Sequence, residues 1–300
     1  MFKNGLSYLK APLGIGFIYV FLILLPLEWI GWLMTPFLES VLKIMEFYEA
    51  SLVTAQSEQF DLLSTFHAVT DQHGLDMGYI TLALIGILVC SLLLKTYLTY
   101  TAHRALIFSG NIFLLPKRQE LLPKLTHREQ IITYVTLLFK LIILPFAMGG
   151  VFLFFWAIFG AVCLAVGFVG NIDYETVLEF LMTDGLLFMS LFGVFYMMAF
   201  SFYFLHDFHV RHVFDLRQNM KFIQKNWLRM IVLIGIMVGV VFLLSVAGVM
   251  LGRMIMLFLI QIPTWVQIVV QALYLAYAQL FLSIIFGKTL YWTGGKNTRG

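Results

Sequence analysis

The chain has 300 residues, of which 61% are hydrophobic and only 12% are Asp, Glu, Lys or Arg. A soluble domain carries about 25% charged residues, so half that supply cannot cover a water-facing surface, and a soluble enzyme or nucleic-acid-binding domain is excluded. The two cysteines, Cys90 and Cys163, both fall in apolar runs with no CxxC motif, which excludes a disulfide framework and dithiol redox chemistry.

The chain opens on "MFKNGLSYLKAPLGIGFIYVFLILLPLEWIGWLM", a basic start followed by an apolar run. It has no A-x-A-like cleavage site and its apolar run is too long for an export signal, so an uncleaved first span is expected. Crossing a bilayer takes roughly 20 apolar residues in a helix. Six stretches qualify: 13–34, 77–100, 148–170, 185–205, 228–251 and 265–287. Together they predict an all-α polytopic membrane protein, residues 1–300 forming a single transmembrane domain. The outer loop 36–76 carries Leu38, Leu42, Met45 and Leu52 near helical spacing with glutamates between them. That pattern predicts a helix lying across the outer face of the bundle.

Two long apolar stretches require a break. As one helix, 131–170 is about 60 Å long at about 1.5 Å per residue, twice the hydrocarbon thickness. The break is expected at "LPFAMGG", where Pro145 kinks a helix and Gly149 and Gly150 loosen it. The stretch 228–287 is expected to break in "LGRMIMLFLIQIP", which places Arg253 and Pro263 in an outer turn.

Charge sets the orientation, because cytoplasmic loops carry the excess Lys and Arg. Loop 101–130 holds Arg104, Lys117, Arg118, Lys124 and Arg128, and loop 206–227 holds Arg211, Arg217, Lys221 and Lys225. Both termini are basic, through Lys3 and Lys10 and through Lys288, Lys296 and Arg299. The alternate loops are acidic, with Glu39, Glu46, Glu49, Glu58 and Asp61 in one and Asp173, Glu175, Glu179 and Asp184 in the other. Six spans with both termini in the cytoplasm satisfy every loop at once.

A repeated element precedes the odd-numbered spans. Phe2, Leu6, Leu9 and Leu13 are apolar at i, i+4, i+7 and i+11, and Leu216, Met220, Ile223 and Trp227 repeat that spacing. Ile131, Val135, Leu138 and Ile142 repeat it again. Basic and polar residues oppose the first two stripes, as in a helix lying in the headgroup plane. The chain therefore reads as three pseudo-repeats of an interfacial elbow helix, a span out and a span back. "GLSYLKAPLGIGFIYVFLILLPLEWIGW" and "QNMKFIQKNWLRMIVLIGIMVGVVFLL" resemble the elbow-then-span signatures of the YciC-like and BPSS-type inner-membrane families. They also resemble the membrane domain attached to some glycerophosphodiester phosphodiesterases. The resemblance implies an architecture and an inner-membrane location, and carries no catalytic residue onto this chain.

The residues with chemical potential are few. His206, His209 and His212 step by three in "FLHDFHVRHVFDLRQNMKF", beside Asp207 and Asp215. Zinc accepts three nitrogens and a carboxylate, so these three are the candidate metal ligands. The chain lacks the HxxxH and HxxHH boxes of di-iron membrane oxygenases and the Glu-x-x-His pairs of ferritin-like sites. The simpler reading makes the stretch the wet edge of a span. Glu28, in "PLEWIGW", is the one carboxylate well inside a predicted span. Intramembrane charges are costly and often functional, which makes Glu28 a candidate, with Arg253 as an expected partner. Lys95 and Lys140 are expected to snorkel to the cytoplasmic face. No P-loop, GxSxG or HExxH motif occurs.

Sequence therefore points first to a non-enzymatic, envelope-associated or accessory membrane subunit without cofactor. A transporter or permease component is the alternative, and a metal-dependent membrane enzyme using the cytosolic histidines comes third. Against transport stands a sparse polar lining: Glu28, Ser190, Ser201, Ser245 and Gln271. The expected partners are the lipid bilayer and a membrane protein or second copy of the chain, not nucleic acid. The loop charges generate a direct test of orientation. Single cysteines at Ser57 and Ser109 are expected to label from opposite sides of the membrane, Ser57 from outside. Labelling of both from one side rejects the six-span arrangement.

Overall fold

In hydrocarbon every peptide N–H and C=O must find its partner inside the chain, and a helix satisfies them locally. The computed structural model describes residues 15–53, 77–107, 128–258 and 263–294, and these contain helices and short connections but no strand. Helix α1 is Ile15–Val53, α2 is Met77–Ile107 and α3 is Arg128–Val169. A short helix, α4 (Tyr174–Phe180), passes through a π-helical turn, Leu181–Gly185, into α5 (Leu186–Asp207). A 3-10 turn, Val210–Val213, then leads to α6 (Leu216–Phe258), and α7 (Thr264–Gly294) follows. Six helical segments are long and apolar enough to cross a membrane: Gly16–Thr35, Gly78–Ile107, Ile131–Val169, Tyr174–Asp207, Leu216–Met254 and Thr264–Gly294. The architecture is that of an all-helical, multi-pass membrane protein.

The break expected at Pro263 falls between α6 and α7, whereas the one expected at Pro145 does not occur. Helix α1 runs unbroken past Met34 to Val53, so the first part of the expected outer loop extends the first helix rather than lying across the bundle. The rest of that loop, 54–76, lies outside the described residues, as do the first elbow stripe and most of loop 101–130. Helix α3 is continuous for 42 residues with Pro145 inside it. Helix α6 is continuous for 43 residues, which puts Arg253 within a helix rather than in a turn and joins residues 216–227 to the span after them without a helix break. The acidic residues Glu175, Glu179 and Asp184 likewise sit on helical turns that lead into α5. At Pro145 the cause is local: proline removes one backbone bond, whereas opening a loop in lipid strands several, so α3 persists.

Where the chain does turn, the capping is specific. Helix α3 closes in a Schellman motif: Ile172 N–H donates to the Gly167 carbonyl at 2.9 Å and Asn171 N–H to that of Phe168 at 3.4 Å. Asn171 takes the left-handed conformation this requires (φ 50°). Gly167 lets Val177 of α4 close down on it, where a Cβ would lie 2.6 Å from the valine side chain.

Helix α7 is the shared wall of the bundle, packing against α1, α2, α5 and α6. Its residues fall into two adjacent rows at i+4 spacing, the ridges by which helices interdigitate. One row, Ile268, Ala272, Ala276, Leu280, Ile284 and Lys288, is buried throughout. Its alanines meet Val20 and Leu24 of α1 and Tyr97 of α2 in one core. A larger core joins α2, α3, α5 and α6 around Leu106, Leu137, Phe200, Phe202 and Met230. The neighbouring row of α7 ends at Gly287, which lies against the Ala102 carbonyl of α2. A Cβ there would collide with that carbonyl oxygen and sit 2.9 Å from Ala105 Cβ.

Small residues let membrane helices approach to backbone contact, and this contact fixes the distance between α2 and α7. Gly287→Ala is expected to lower stability by about 1–3 kcal/mol, the usual cost of overpacking. Gly252→Ala, whose Cβ meets nothing within 4 Å, is the matched control and should leave stability unchanged or slightly raised. Thermal unfolding of both variants in one detergent checks this. Equal melting temperatures would show that the α2–α7 spacing is not set there.

Candidate functional site

The histidine-rich stretch folds into a hydrogen-bonded corner between α5 and α6. Helix α5 ends at Phe208, which is left-handed (φ 56°) yet only 7% exposed. A bulky residue rarely adopts that conformation. It is held by burial, with the His103 ring 4.4 Å away and the Phe204 ring 5.8 Å away. His103 Nδ1–H donates to the carbonyl of Leu205, so α2 satisfies one of the orphan acceptors at the end of α5. Tyr196 donates its hydroxyl to the carbonyl of Val213. Asn219, fully buried, donates to Tyr196 Oη at 3.1 Å and to the His212 carbonyl at 2.7 Å.

The three candidate ligands serve this corner individually. His212 Nε2–H donates to Asp207 Oδ2 at 2.8 Å, and His209 Nδ1–H donates to the Asp207 carbonyl at 2.9 Å. The His209 backbone N–H donates to Asp207 Oδ1 at 2.9 Å, closing an Asx turn. His206 points elsewhere, its ring 4.9 Å from that of Phe202. Among the described residues no three His, Cys, Asp or Glu side chains gather where they could hold a metal ion.

The intramembrane charges are also rearranged. Glu28 is half-buried and Arg253 exposed, and no ion pair joins them: among the described residues the only His, Lys or Arg contacts to carboxylates are those of His209 and His212 with Asp207. Lys288, which sequence reading places with the basic terminus, is 2% exposed at the end of the buried row of α7.

The feature that gathers polar groups inside the bundle is a crevice of three abutting cavities. The first, about 520 Å³, lies between α6 and α7 and is lined by Ser245, Gln267, Gln271, Tyr274 and Gln279. The second, about 500 Å³, is walled by α2, α3, α5, α6 and α7, and takes in Lys95, Thr99, Ser201, Gln279 and Ser283. The third, about 570 Å³, lies between α3 and α5 and includes Ser190, Ser201 and Phe286. Gln279 and Leu282 belong to both the first and second cavities, while Met148, Met197, Ser201 and Phe286 belong to both the second and third. These sizes fall in the range of small-molecule sites.

One row of α7 supplies the polar line: Gln267, Gln271, Leu275, Gln279 and Ser283, each four residues from the last. Sequence reading picked out Ser190, Ser201, Ser245 and Gln271, and the crevice contains all four. It missed Gln267, Gln279 and Ser283, whose signal was the i+4 step itself. Glu28 lies outside the crevice.

No family model, curated protein or solved structure matches the chain. The case for function therefore rests on the residues themselves. The corner yields a contrast between two kinds of histidine. The triple change His206→Ala, His209→Ala, His212→Ala is expected to lower stability by about 1 kcal/mol, because the Asp207 carboxylate that His209 and His212 contact is itself exposed and can rehydrate. His103→Ala leaves a buried carbonyl without its donor and is expected to cost about 1–3 kcal/mol. Thermal unfolding checks the contrast, and elemental analysis of the wild type is expected to find no stoichiometric zinc, iron or copper. One metal per chain, lost in the triple variant, would restore the metal-enzyme reading.

Proposed function

We propose that the chain is a non-enzymatic integral membrane protein that holds or passes an amphiphilic molecule through the crevice, as a transporter or permease component. The observation that carries this reading is the polar row of α7 running from the first cavity into the second. Gln267, Gln271 and Gln279 make no side-chain hydrogen bond among the described residues. Gln267 and Gln271 are exposed, while Gln279 is half-buried against apolar walls, where an amide loses hydration and gains nothing unless a ligand or water meets it. The same walls carry Phe, Leu and Met from α3 and α5, so the fitting occupant has both an apolar body and polar groups.

The accessory-subunit role, ranked first from sequence, has no observation of its own in the fold and becomes the second reading. A bacterial inner-membrane location with cytoplasmic termini belongs to the proposal and is supported by the loop charges. So does the elbow-and-span repeat, with its likeness to the YciC-like families. Its support is the exposure of Arg217, Lys221 and Lys225 opposite buried Phe222 and Met230 at the start of α6.

The reading is tested by what the protein retains. Purified in mild detergent and extracted for mass spectrometry, the wild type is expected to carry an amphiphile at near-stoichiometric amount. Ser201→Phe fills the wall shared by the second and third cavities and is expected to lose most of it without losing thermal stability. A wild type that retains none, or a folded Ser201→Phe variant that retains it all, would overturn the crevice reading.

A further inference from the structure

The second cavity contains one formal charge, and that charge is in an unusual place. Lys95 lies on α2, a helix of 31 residues. Such a helix is about 46 Å long at about 1.5 Å per residue. Lys95 is exposed on that helix and does not join the packed core. The side chain instead lines the cavity, and its ammonium has no hydrogen-bond or ion-pair partner among the described residues. No described carboxylate lines the cavity either.

The other polar groups there sort themselves by what they can still offer. Thr99 donates its hydroxyl to the Lys95 carbonyl at 2.8 Å, and Ser283 donates to the Leu98 carbonyl. Both protons are committed, which leaves the Lys95 ammonium, the Gln279 amide and the Ser201 hydroxyl as the available donors. A set of donors around one cation, with no anion of the protein's own, is complementary to a negatively charged group. An intramembrane cation calls for such a partner.

We infer that Lys95 is the headgroup ligand of an anionic amphiphile, with a phosphate or carboxylate head and an alkyl tail, seated in the second cavity. The inference rests on the crevice reading above and names its ligand class. The head meets Lys95 and Gln279; the tail follows Leu141, Leu144, Met148, Phe204 and Phe286.

The test uses the full chain in nanodiscs of zwitterionic phosphatidylcholine and two photo-reactive probes. One is a dodecyl phosphate with a diazirine in its tail, the other a dodecyltrimethylammonium with the same tail. The phosphate probe is expected to crosslink to the cavity walls of α3, α5 and α7. Excess dodecyl phosphate and excess laurate should compete it, and inorganic phosphate should not. Lys95→Gln is expected to cut the crosslink yield about tenfold or more, the loss of one charge-assisted contact. Lys95→Arg should retain it, and Lys140→Gln, which lines none of the three cavities, should leave it unchanged.

Size-exclusion and thermal profiles matching the wild type establish that Lys95→Gln is folded, and Lys95→Arg gives a second variant if it is not. Equal cavity labelling by the cationic probe, or full labelling of a folded Lys95→Gln, overturns the anion assignment while leaving the crevice reading in place. Competition by inorganic phosphate alone shows a free-anion site and overturns the amphiphile. Failure of both probes to label any cavity wall removes the crevice reading together with this one.

Discussion

Helices α2 and α7 touch through their backbones beside the second cavity. Gly287 admits the Ala102 carbonyl where any side chain would keep it away, and Ala105 fills the space beside it. Two consequences follow directly. One turn earlier on α7, Ser283 reaches the Leu98 carbonyl, a bond possible only at that separation. On α2, the turns that precede Ala102 then bring Thr99 and Lys95 to the rim of the second cavity. The row of α7 that carries the glutamines is the row that ends at Gly287, so one helical ridge sets both the polarity of the crevice and its width.

Not all the polar groups in the bundle point to function. Thr96, Thr101 and Ser190 return their hydroxyl protons to carbonyls four residues back, at 2.7, 2.9 and 2.7 Å. A hydroxyl can satisfy itself on its own helix in this way. A glutamine on an apolar helix has no comparable local partner, and neither has a lysine. This distinction separates Ser190, which sequence reading weighed as lining, from Gln279, which it did not weigh. The asparagines Asn219 and Asn226 lie between the two cases. Each donates to backbone or tyrosine oxygen while its own carbonyl oxygen stays unpartnered within the described residues. They face the packed core at the start of α6 rather than the crevice.

What the sequence disclosed was the class of structure and the number of long apolar helices, because hydrocarbon thickness imposes both through composition alone. It placed the break between α6 and α7, in the segment that ends at Pro263, and misplaced the one at Pro145. Pro145 looks like a helix terminator by rules learned in water, where a freed carbonyl can bind solvent. In lipid that option is gone, and α3 continues. The histidines misled for a related reason. Their spacing brings adjacent members near one another on a helix, but the chain leaves the helix at Phe208, and the left-handed residue there turns His209 and His212 back onto Asp207. No periodicity argument contains that turn. Glu28 and Arg253 had opposite charge and the same expected side of the membrane, yet α1 and α6 pack on different parts of α7.

The same reasoning explains why a lysine ranked as ordinary becomes the most informative residue of the fold. Read along the chain, Lys95 is a cation near the basic end of a span, and a long flexible stem excuses it. Read in three dimensions, the stem lies beside a cavity bounded by α3, α5, α6 and α7 that holds no described carboxylate. Lys288, also on the cytoplasmic side of the expected topology, differs in kind. It ends a row of α7 that is buried from Ile268 onward, and it belongs to the packing of the bundle. The two lysines mark the two faces of α7, one closed against its neighbours and one open to the crevice. A membrane helix with its amides and its neighbour's cation beside the cavities, and its alanines packed against α1 and α2, is the arrangement on which the proposed amphiphile site rests.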